Sequence, residues 1–345
     1  MKDDSWMIYG ATGRSGQLIA RKAVAHGMRP ILAGRNKEAI QKFAEELNLS
    51  WRAFEIGDWK KFKDEVARVS LLVNAAGPFV NSAVLIAEAC LEVSTHYFDL
   101  NNEIASLAAV YTLDAEAKEK RLMLLPGLAF SPAASNFLVK HLHTLLPDAD
   151  SLNVALRPYM RSDGVGANLT ILETIASGAF RRRDGNLERY RINSSLAQVE
   201  LPDGVYTLLP ASLGDLEAAF RCTSIPNITT HLVAGMLPSS DGARAVVDPF
   251  AKGENLSLGS GNRKPNHGGS MVWARMSKTG RNPLEGWLVL GEGYDFTAAV
   301  VVGGVAQFLE ERKPSSGAHT AATALGADFV LNLPNVERRV KSHDH

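Results

Sequence analysis

The sequence predicts an α/β protein, in which an open, doubly wound parallel sheet carries an inserted α+β domain of mostly antiparallel sheet. Over about the first 127 residues, short apolar segments alternate with amphipathic helical segments, which is typical of parallel strands joined by crossover helices. A glycine-rich turn follows the first apolar segment. Beyond Gly127, strand-like segments dominate, which favours an antiparallel sheet.

The first strand, 6–9, leads into a turn with three glycines at the spacing G-x-x-G-x-x-G. This spacing is related to the dinucleotide-binding fingerprint of Rossmann domains. Gly10 is expected to allow a tight turn, Gly13 to let a diphosphate approach the backbone, and Gly16 to let the next helix lie close to the strand. The amides at the start of that helix would face the phosphates. The predicted contacts are Gly10, Thr12, Gly13, Arg14, Ser15 and Gly16.

The end of the second strand, 30–34, indicates the cofactor. A site that prefers NAD usually places a carboxylate there for the ribose 2′-hydroxyl. This chain instead has Gly34 and Arg35, followed by Asn36. A guanidinium offers several donors to a 2′-phosphate. The sequence therefore predicts NADP(H) as cofactor, bound by Arg35 and Asn36; the alternative is a solvated arginine that precedes a helix.

Four further strands are predicted at 51–56, 71–73, 96–100 and 122–125. Helices are expected after Asn36, over a short segment near 59–69, at about 82–91 and at 103–121. Ligands bind at the carboxyl ends of parallel strands. That edge would hold the glycine turn, Arg35, Asp58 and Asp99, together with residues 74–79.

The segment after the 71–73 strand is the expected wall of the nicotinamide site. Its small residues keep the backbone close to the ribose, and an aromatic side chain could pack on the ring. The predicted contacts are Asn74, Ala75, Ala76, Gly77 and Phe79. A simple strand-to-helix turn is the alternative. Asp58 is expected either to contact the adenine or to cap a helix.

The predicted domains are a dinucleotide-binding domain at residues 1–130, completed by 295–345, and a substrate domain at 131–294. In the substrate domain we expect helices at 131–146 and 165–177, and strands at 151–159, 205–209, 228–233, 271–276 and 286–290. The segment 297–311 is apolar nearly all round, which predicts a helix buried between the domains. The charged tail after Pro334 is expected to be frayed.

The candidates for catalysis are few. Tyr97 and Asp99 should share one face of a strand, opposite His96, and either could exchange a proton. Tyr159 is a third candidate, from the second domain. Arg157, Asp163 and Asp215 are possible substrate contacts, although such residues are more often structural. The Arg181–Arg183 run is most simply a solvated turn, and the spacing of His141 and His143 argues against a metal pair.

Composition narrows the class of protein. Lys plus Arg and Asp plus Glu both number 37 among 345 residues, and this balance argues against a nucleic-acid partner. The two cysteines lie outside any C-x-x-C motif, so neither a zinc site nor a disulfide framework is expected. With no signal-peptide pattern and no apolar run long enough for a membrane span, the sequence predicts a cytoplasmic protein. A homodimer remains open.

Several motifs together resemble the saccharopine dehydrogenase-like oxidoreductases, particularly the group of trans-acting enoyl reductases. They are Tyr9–Gly13, Ala33–Asn36, Asn74–Phe79, Thr95–Leu100, Pro126–Gly127, Ser162–Gly164, Gly214–Asp215, Thr223–Asn227 and Gly291–Tyr294. The resemblance implies an NADP-binding oxidoreductase with an inserted substrate domain. We therefore expect hydride transfer to a C=C, C=N or C=O bond of an organic substrate. The alternative is a non-catalytic NADP-binding redox sensor or regulator.

Overall fold

We describe residues 5–80, 82–159, 179–190, 197–233, 269–311 and 315–342 of a computed structural model. The helix predicted at 165–177 lies outside these residues, as does Asp163. The chain divides into two compact units. The first comprises Met1–Ala133 and Tyr294–Leu333, and the second comprises Ala134–Gly293 and Pro334–His345.

The first unit contains a seven-stranded parallel sheet. Its strands are β1 (Trp6–Tyr9), β2 (Ile31–Gly34), β3 (Trp51–Ala53), β4 (Leu71–Asn74), β5 (His96–Asp99), β6 (Met123–Leu125) and β15 (Gly317–Ala318). They lie in the order β15-β6-β5-β4-β1-β2-β3, and every pairing is parallel. The order reverses between β1 and β4, which confirms the predicted doubly wound fold. The two-residue strand β15 was not predicted.

Along the chain, six helices lie between β1 and β6. They are α1 (Arg14–Ala25), α2 (Lys37–Leu47), α3 (Trp59–Val66), α4 (Ala83–Glu92), α5 (Ile104–Tyr111) and α6 (Asp114–Glu119). Asn36 Oδ1 accepts the Ala39 N–H at 3.1 Å at the start of α2. The single helix predicted at 103–121 is two helices, because the chain turns at Thr112, whose hydroxyl donates to the Ala109 carbonyl at 2.7 Å.

One face of β5 is covered by the apolar helix α9 (Gly293–Glu310). The Phe308 ring lies 4.7 Å from His96 and 5.7 Å from Phe98, measured between ring centroids. His96 Nδ1 also accepts the Met123 N–H at 2.9 Å. His96 is therefore a packing residue with a hydrogen-bond partner, and α9 is anchored on the central sheet.

The second unit contains a nine-stranded mixed sheet and the helix α7 (Phe130–Leu145), which begins in the first unit. Its strands are β7 (Ser151–Arg157), β8 (Ala179–Arg183), β9 (Asn186–Tyr190), β10 (Gln198–Leu201), β11 (Gly204–Pro210), β12 (Asn227–Val233), β13 (Ser270–Ser277), β14 (Leu284–Leu290) and β16 (Glu337–Ser342). Among the described pairings within this second sheet, only that of β12 with β7 is parallel. This agrees with the predicted mostly antiparallel sheet.

The Arg181–Arg183 run is not the solvated turn that we predicted from its composition. These arginines end strand β8, and the turn that follows leads into β9. Arg182 pairs with Glu217 at 2.5 Å, on the unpredicted helix α8 (Asp215–Thr223). Distant partners therefore fix this basic segment as a strand.

The described part of the tail after Pro334, up to residue 342, is not frayed as predicted. Residues 337–342 form β16, which pairs antiparallel with β14 and places Trp287 opposite Arg339. The segment 334–345 accordingly groups with the second unit, and not with the first as we expected. An exposed, charged strand is stabilised here by backbone pairing to a sheet edge, which composition alone does not reveal.

A truncation tests the contribution of β16. Deleting residues 334–345 removes the strand and exposes the edge of β14, so we expect the Tm to fall by about 5 °C or more. Calorimetry would measure this, and deletion of 343–345 alone, which leaves β16 intact, is the control. Equal Tm values for the full chain and the longer deletion would contradict a structural role for this strand.

Candidate dinucleotide-binding site

The backbone of the glycine turn makes close contact with the chain that leaves β4. Gly10 has a φ of +84°, and a Cβ there would lie 2.8 Å from Ala76 N and 2.9 Å from the Ala75 carbonyl carbon. A Cβ on Gly16 would lie only 2.3 Å from the Gly10 carbonyl oxygen. Both positions therefore require glycine, one for the turn at the β1–β4 junction and the other for the approach of α1.

The N-terminus of α1 is left open for an anion. Gly13, its N-cap residue, is exposed and provides no side-chain cap, and the first turn of the helix contains no acidic residue. The Gln17 side chain donates to the Thr12 carbonyl at 2.8 Å and so holds the turn from outside. Arg14 is exposed and Ser15 is half-buried, and the amides of this first turn together with the positive end of the helix dipole fit a diphosphate.

Arg35 follows β2 directly, and its side chain is exposed. With the other described residues it makes no hydrogen bond and no ion pair. Asn36 differs, because its side chain is committed to capping α2. Gly34 makes room for packing, since a Cβ there would lie 3.0 Å from Ile40 Cδ1. Of the predicted 2′-phosphate contacts, Arg35 is thus the one whose side chain remains available.

Two other predicted contacts have structural partners. Asp58 accepts the Lys61 N–H at 3.1 Å and caps α3, which matches the capping alternative. Phe79 is half-buried; its N–H donates to Glu103 at 3.3 Å, and its carbonyl accepts the Ser106 hydroxyl at 3.1 Å. The position of the Phe79 backbone is therefore set by α5, while Gly77 is exposed beside it.

A buried polar network lies at the carboxyl ends of β4 and β5. Asn74 Nδ2 donates to the Tyr97 hydroxyl at 3.2 Å, and that hydroxyl donates to Asp99 Oδ2 at 2.8 Å. Asp99 Oδ1 accepts the N–H groups of Asn101 and Gly127, each at 2.8 Å. Asn74 Oδ1 also accepts the Ala76 N–H at 3.1 Å. The network therefore fixes the chain where it leaves three neighbouring strands.

Burial of this network bears on the catalytic candidates. Asn74, Tyr97 and Asp99 are each 0% exposed. Loss of hydration raises the pKa of Asp99 to about 6, against the lowering effect of the hydrogen bonds that it accepts, and raises the pKa of Tyr97 well above 10. Tyr97 and Asp99 share one face of β5 as predicted, but that face is interior. Their geometry supports a role in holding the strand ends and argues against direct contact with a substrate.

The candidates in the second unit are held by their own surroundings. The Tyr159 N–H donates to the Ser270 hydroxyl at 2.9 Å, and the Tyr159 carbonyl accepts the Gly293 N–H at 2.9 Å. Arg157 makes a buried ion pair with Asp203 at 2.7 Å. Asp215 is fully buried at the start of α8. Arg157 is therefore a structural residue, whereas half-buried Tyr159 remains a candidate.

One contact at the turn was missed. The Arg14 guanidinium carbon lies 4.2 Å from the centroid of the Tyr294 ring, at the start of α9. The sequence marked Gly291–Tyr294 as a motif of the resemblance but gave it no role. Because the two residues are far apart in the chain, no local sequence pattern could predict their contact.

Neither a metal centre nor a membrane-spanning helix is found in the described part of the chain. No group of three or more His, Cys, Asp or Glu side chains there is arranged to hold a metal ion. No helix within the same residues is both long enough and apolar enough to cross a membrane.

Fold and turn together define a protein with a pyridine-nucleotide-binding Rossmann domain and a second, mixed-sheet unit. Residues 6–125 match the family described as the saccharopine dehydrogenase NADP binding domain. This match confirms the resemblance to saccharopine dehydrogenase-like proteins in the dinucleotide-binding segment of the chain. A search of curated protein sequences finds no match.

Two solved structures share the fold over nearly the whole chain. Apo saccharopine dehydrogenase (L-Glu forming) from Saccharomyces cerevisiae is 10% identical, with a TM-score of 0.63 over 98% of this chain and 100% of that one. Homospermidine synthase from Legionella pneumophila, in complex with NAD, is 11% identical, with a TM-score of 0.66 over 98% of this chain and 92% of that one. At such identities the similarity concerns the fold alone.

Two alanine substitutions distinguish the steric effect of the close contact at Gly10 from the conformational cost of its positive φ. Gly10→Ala should lower the free energy of unfolding by about 3 kcal/mol or more, because the methyl group meets backbone atoms of Ala75 and Ala76. Gly27 also has a positive φ, +75°, but a Cβ there would have no other atom within 4 Å. Gly27→Ala is therefore the matched control, expected to cost about 1 kcal/mol. Urea unfolding measures both, and equal losses would contradict the close contact.

Asp99 predicts a pH dependence of stability. The pKa of Asp99 in the folded protein is about 6, above the ordinary value of 3.8. Its contribution to the free energy of unfolding is therefore fully present below pH 3.8 and is lost as the pH rises through 6. Relative to Asp99→Asn, the wild-type protein should lose up to about 3 kcal/mol of unfolding free energy between pH 4 and pH 7. Urea unfolding across this range measures the difference.

Asp150 provides a control of opposite sign. Hydrogen bonds from the Thr279 N–H and hydroxyl hold the pKa of Asp150 below its usual range. Relative to Asp150→Asn, wild-type stability should therefore rise with pH through the acid range. For Asp99 itself, parallel curves of unfolding free energy against pH for the wild type and Asp99→Asn would show that this residue does not titrate with a raised pKa.

Proposed function

We propose that the protein is an NADP(H)-dependent oxidoreductase, most simply a reductase that passes hydride from the nicotinamide to a C=C, C=N or C=O bond of an organic substrate. The observation that carries the proposal is the open glycine turn at the β1–β4 switch point, with an uncapped helix N-terminus directly behind it. Ligands bind at such switch points in doubly wound sheets. The match of residues 6–125 to an NADP-binding domain supports the same cofactor class.

The preference for NADP(H) over NAD(H) rests on Arg35. The side chain is exposed at the end of β2, where an NAD site would usually carry an acid. A guanidinium in that position can donate to a 2′-phosphate, whereas a 2′-hydroxyl gives it only a weak acceptor. The NAD of the Legionella structure belongs to that protein and does not decide the preference here.

For the reaction, we favour the reduction of an activated C=C bond, as in the enoyl reductases of the sequence resemblance. When bound, the cofactor supplies the hydride, and this chain supplies the position and the exclusion of water. Reduction of an enoyl group needs only a weak proton source, which fits the burial of Tyr97 and Asp99. The second unit is proposed as the substrate domain, with Tyr159 as its candidate contact.

A second function has one observation in its favour. Because the catalytic candidates Tyr97 and Asp99 are both fully buried, an NADP-binding redox sensor or regulator without catalytic activity is the alternative. NADPH consumption with a panel of enones, imines and ketones distinguishes the two. Tight NADPH binding with no turnover on any member of the panel would favour the sensor.

The cofactor preference is tested by Arg35→Ala. Loss of charge-assisted hydrogen bonds to the 2′-phosphate should weaken NADPH binding by roughly 10- to 100-fold and leave NADH binding nearly unchanged. Arg68→Ala is the matched control, because Arg68 is an exposed arginine that precedes β4 and so lies toward the opposite edge of the sheet. Isothermal titration measures the affinities of the wild type and both variants for NADPH and for NADH. Equal wild-type affinities for NADPH and NADH would refute the preference.

A further inference from the structure

The contact between Arg14 and Tyr294 joins two segments that are 280 positions apart in the chain. Arg14 is the first residue of α1, directly after the glycine turn, and Tyr294 is the second residue of α9. A distance of 4.2 Å from the guanidinium carbon to the ring centroid is well within the range of a cation–π interaction. The interaction therefore places an aromatic face beside the candidate phosphate site.

Tyr294 projects from a rigid support. Further along α9, Phe308 packs edge-on against His96 and Phe98 of β5, and Phe296 packs perpendicular to Phe130 with centroids 6.2 Å apart. The helix is buried along most of its length. Because α9 is fixed on the sheet, the tyrosine ring can restrict the rotamers of an otherwise exposed arginine.

The charge of Arg14 is unusual for its position. A cation in the first turn adds to the positive end of the helix dipole and is ordinarily unfavourable, whereas an acidic residue would be favourable. Helix α1 has no acidic residue in that turn and no capping side chain on Gly13. An anion at this helix end would be stabilised by the dipole, the amides and the guanidinium together.

We propose that Tyr294 is a positioning residue for cofactor binding: its ring holds the Arg14 guanidinium at the glycine turn, where the guanidinium binds the diphosphate of the dinucleotide. This inference rests on the proposed cofactor class. It adds a contact that the glycine motif does not contain, and it links cofactor affinity to the helix α9. Arg14 and Arg35 then act on different phosphates of one molecule.

The test is a double-mutant cycle with NADPH as the probe, measured by isothermal titration on the full chain. Arg14→Met and Tyr294→Leu should each weaken binding, by roughly three- to tenfold for the loss of the positioning ring. If Tyr294 acts through Arg14, the double variant should bind no more weakly than Arg14→Met alone. Tyr294→Phe keeps the aromatic face and should restore most of the affinity.

Adenosine 2′-phosphate is the second probe, because it carries the 2′-phosphate but no diphosphate. Tyr294→Leu should leave its affinity unchanged, while Arg35→Ala should weaken it. Arg21→Met is the matched control, since Arg21 also lies on α1 but away from the turn, with its guanidinium over the Phe43 ring of α2. The NADPH affinity of this variant should equal that of the wild type.

The outcomes separate the inference from the proposed function. A wild-type chain that binds no NADPH would refute the cofactor itself. If the wild type binds NADPH, then additive losses in the cycle, an unchanged affinity in Tyr294→Leu, or an equal loss for both probes would each overturn the positioning role. Equal losses would indicate a general structural defect, which a lowered Tm of Tyr294→Leu would also reveal.

Discussion

The candidate site depends on the close approach of two backbone segments at Gly10. The turn after β1 touches the chain after β4 so closely that a single methyl group on Gly10 would overlap backbone atoms. The Ala75 N–H also donates to the Tyr9 carbonyl at 2.8 Å, which ties the two strand ends together. Because the strand order reverses at this junction, the glycine turn and the 74–79 segment face the same crevice.

Different forces hold the body of the sheet and its carboxyl edge. The body is apolar, with residues such as Ile8, Leu72 and Phe98 fully buried. The edge is held by hydrogen bonds among Asn74, Tyr97 and Asp99, and a buried network of this kind specifies one geometry because each unmade bond would be costly. Because these residues are buried, they hold the strand ends in place and do not serve as exposed acids.

Local patterns in the sequence predicted most of the first sheet. Apolar runs predicted six of its seven strands, Asn36 predicted the α2 cap, and the glycine spacing predicted the tight turn between β1 and α1. They failed where stability comes from distant partners. The charged residues of β16 show no apolar alternation, and Arg182 of strand β8 is fixed by Glu217 of helix α8. Alternation placed Tyr97 and Asp99 on one face of β5, but only the packing of neighbouring helices decides that this face is interior.

The arrangement of charge has a consequence for how a dinucleotide would be recognised. The chain has a formal net charge of zero, so long-range attraction of an anionic ligand is weak. Recognition must then depend on cations placed locally, and Arg14 and Arg35 stand at the ends of two elements, the start of α1 and the end of β2, on the same edge of the sheet. Each can meet one phosphate group of NADPH, whereas NADH offers Arg35 none. Specificity on this view comes from the separation of two side chains on a rigid fold, and the second-strand position matters as much as the glycine turn itself.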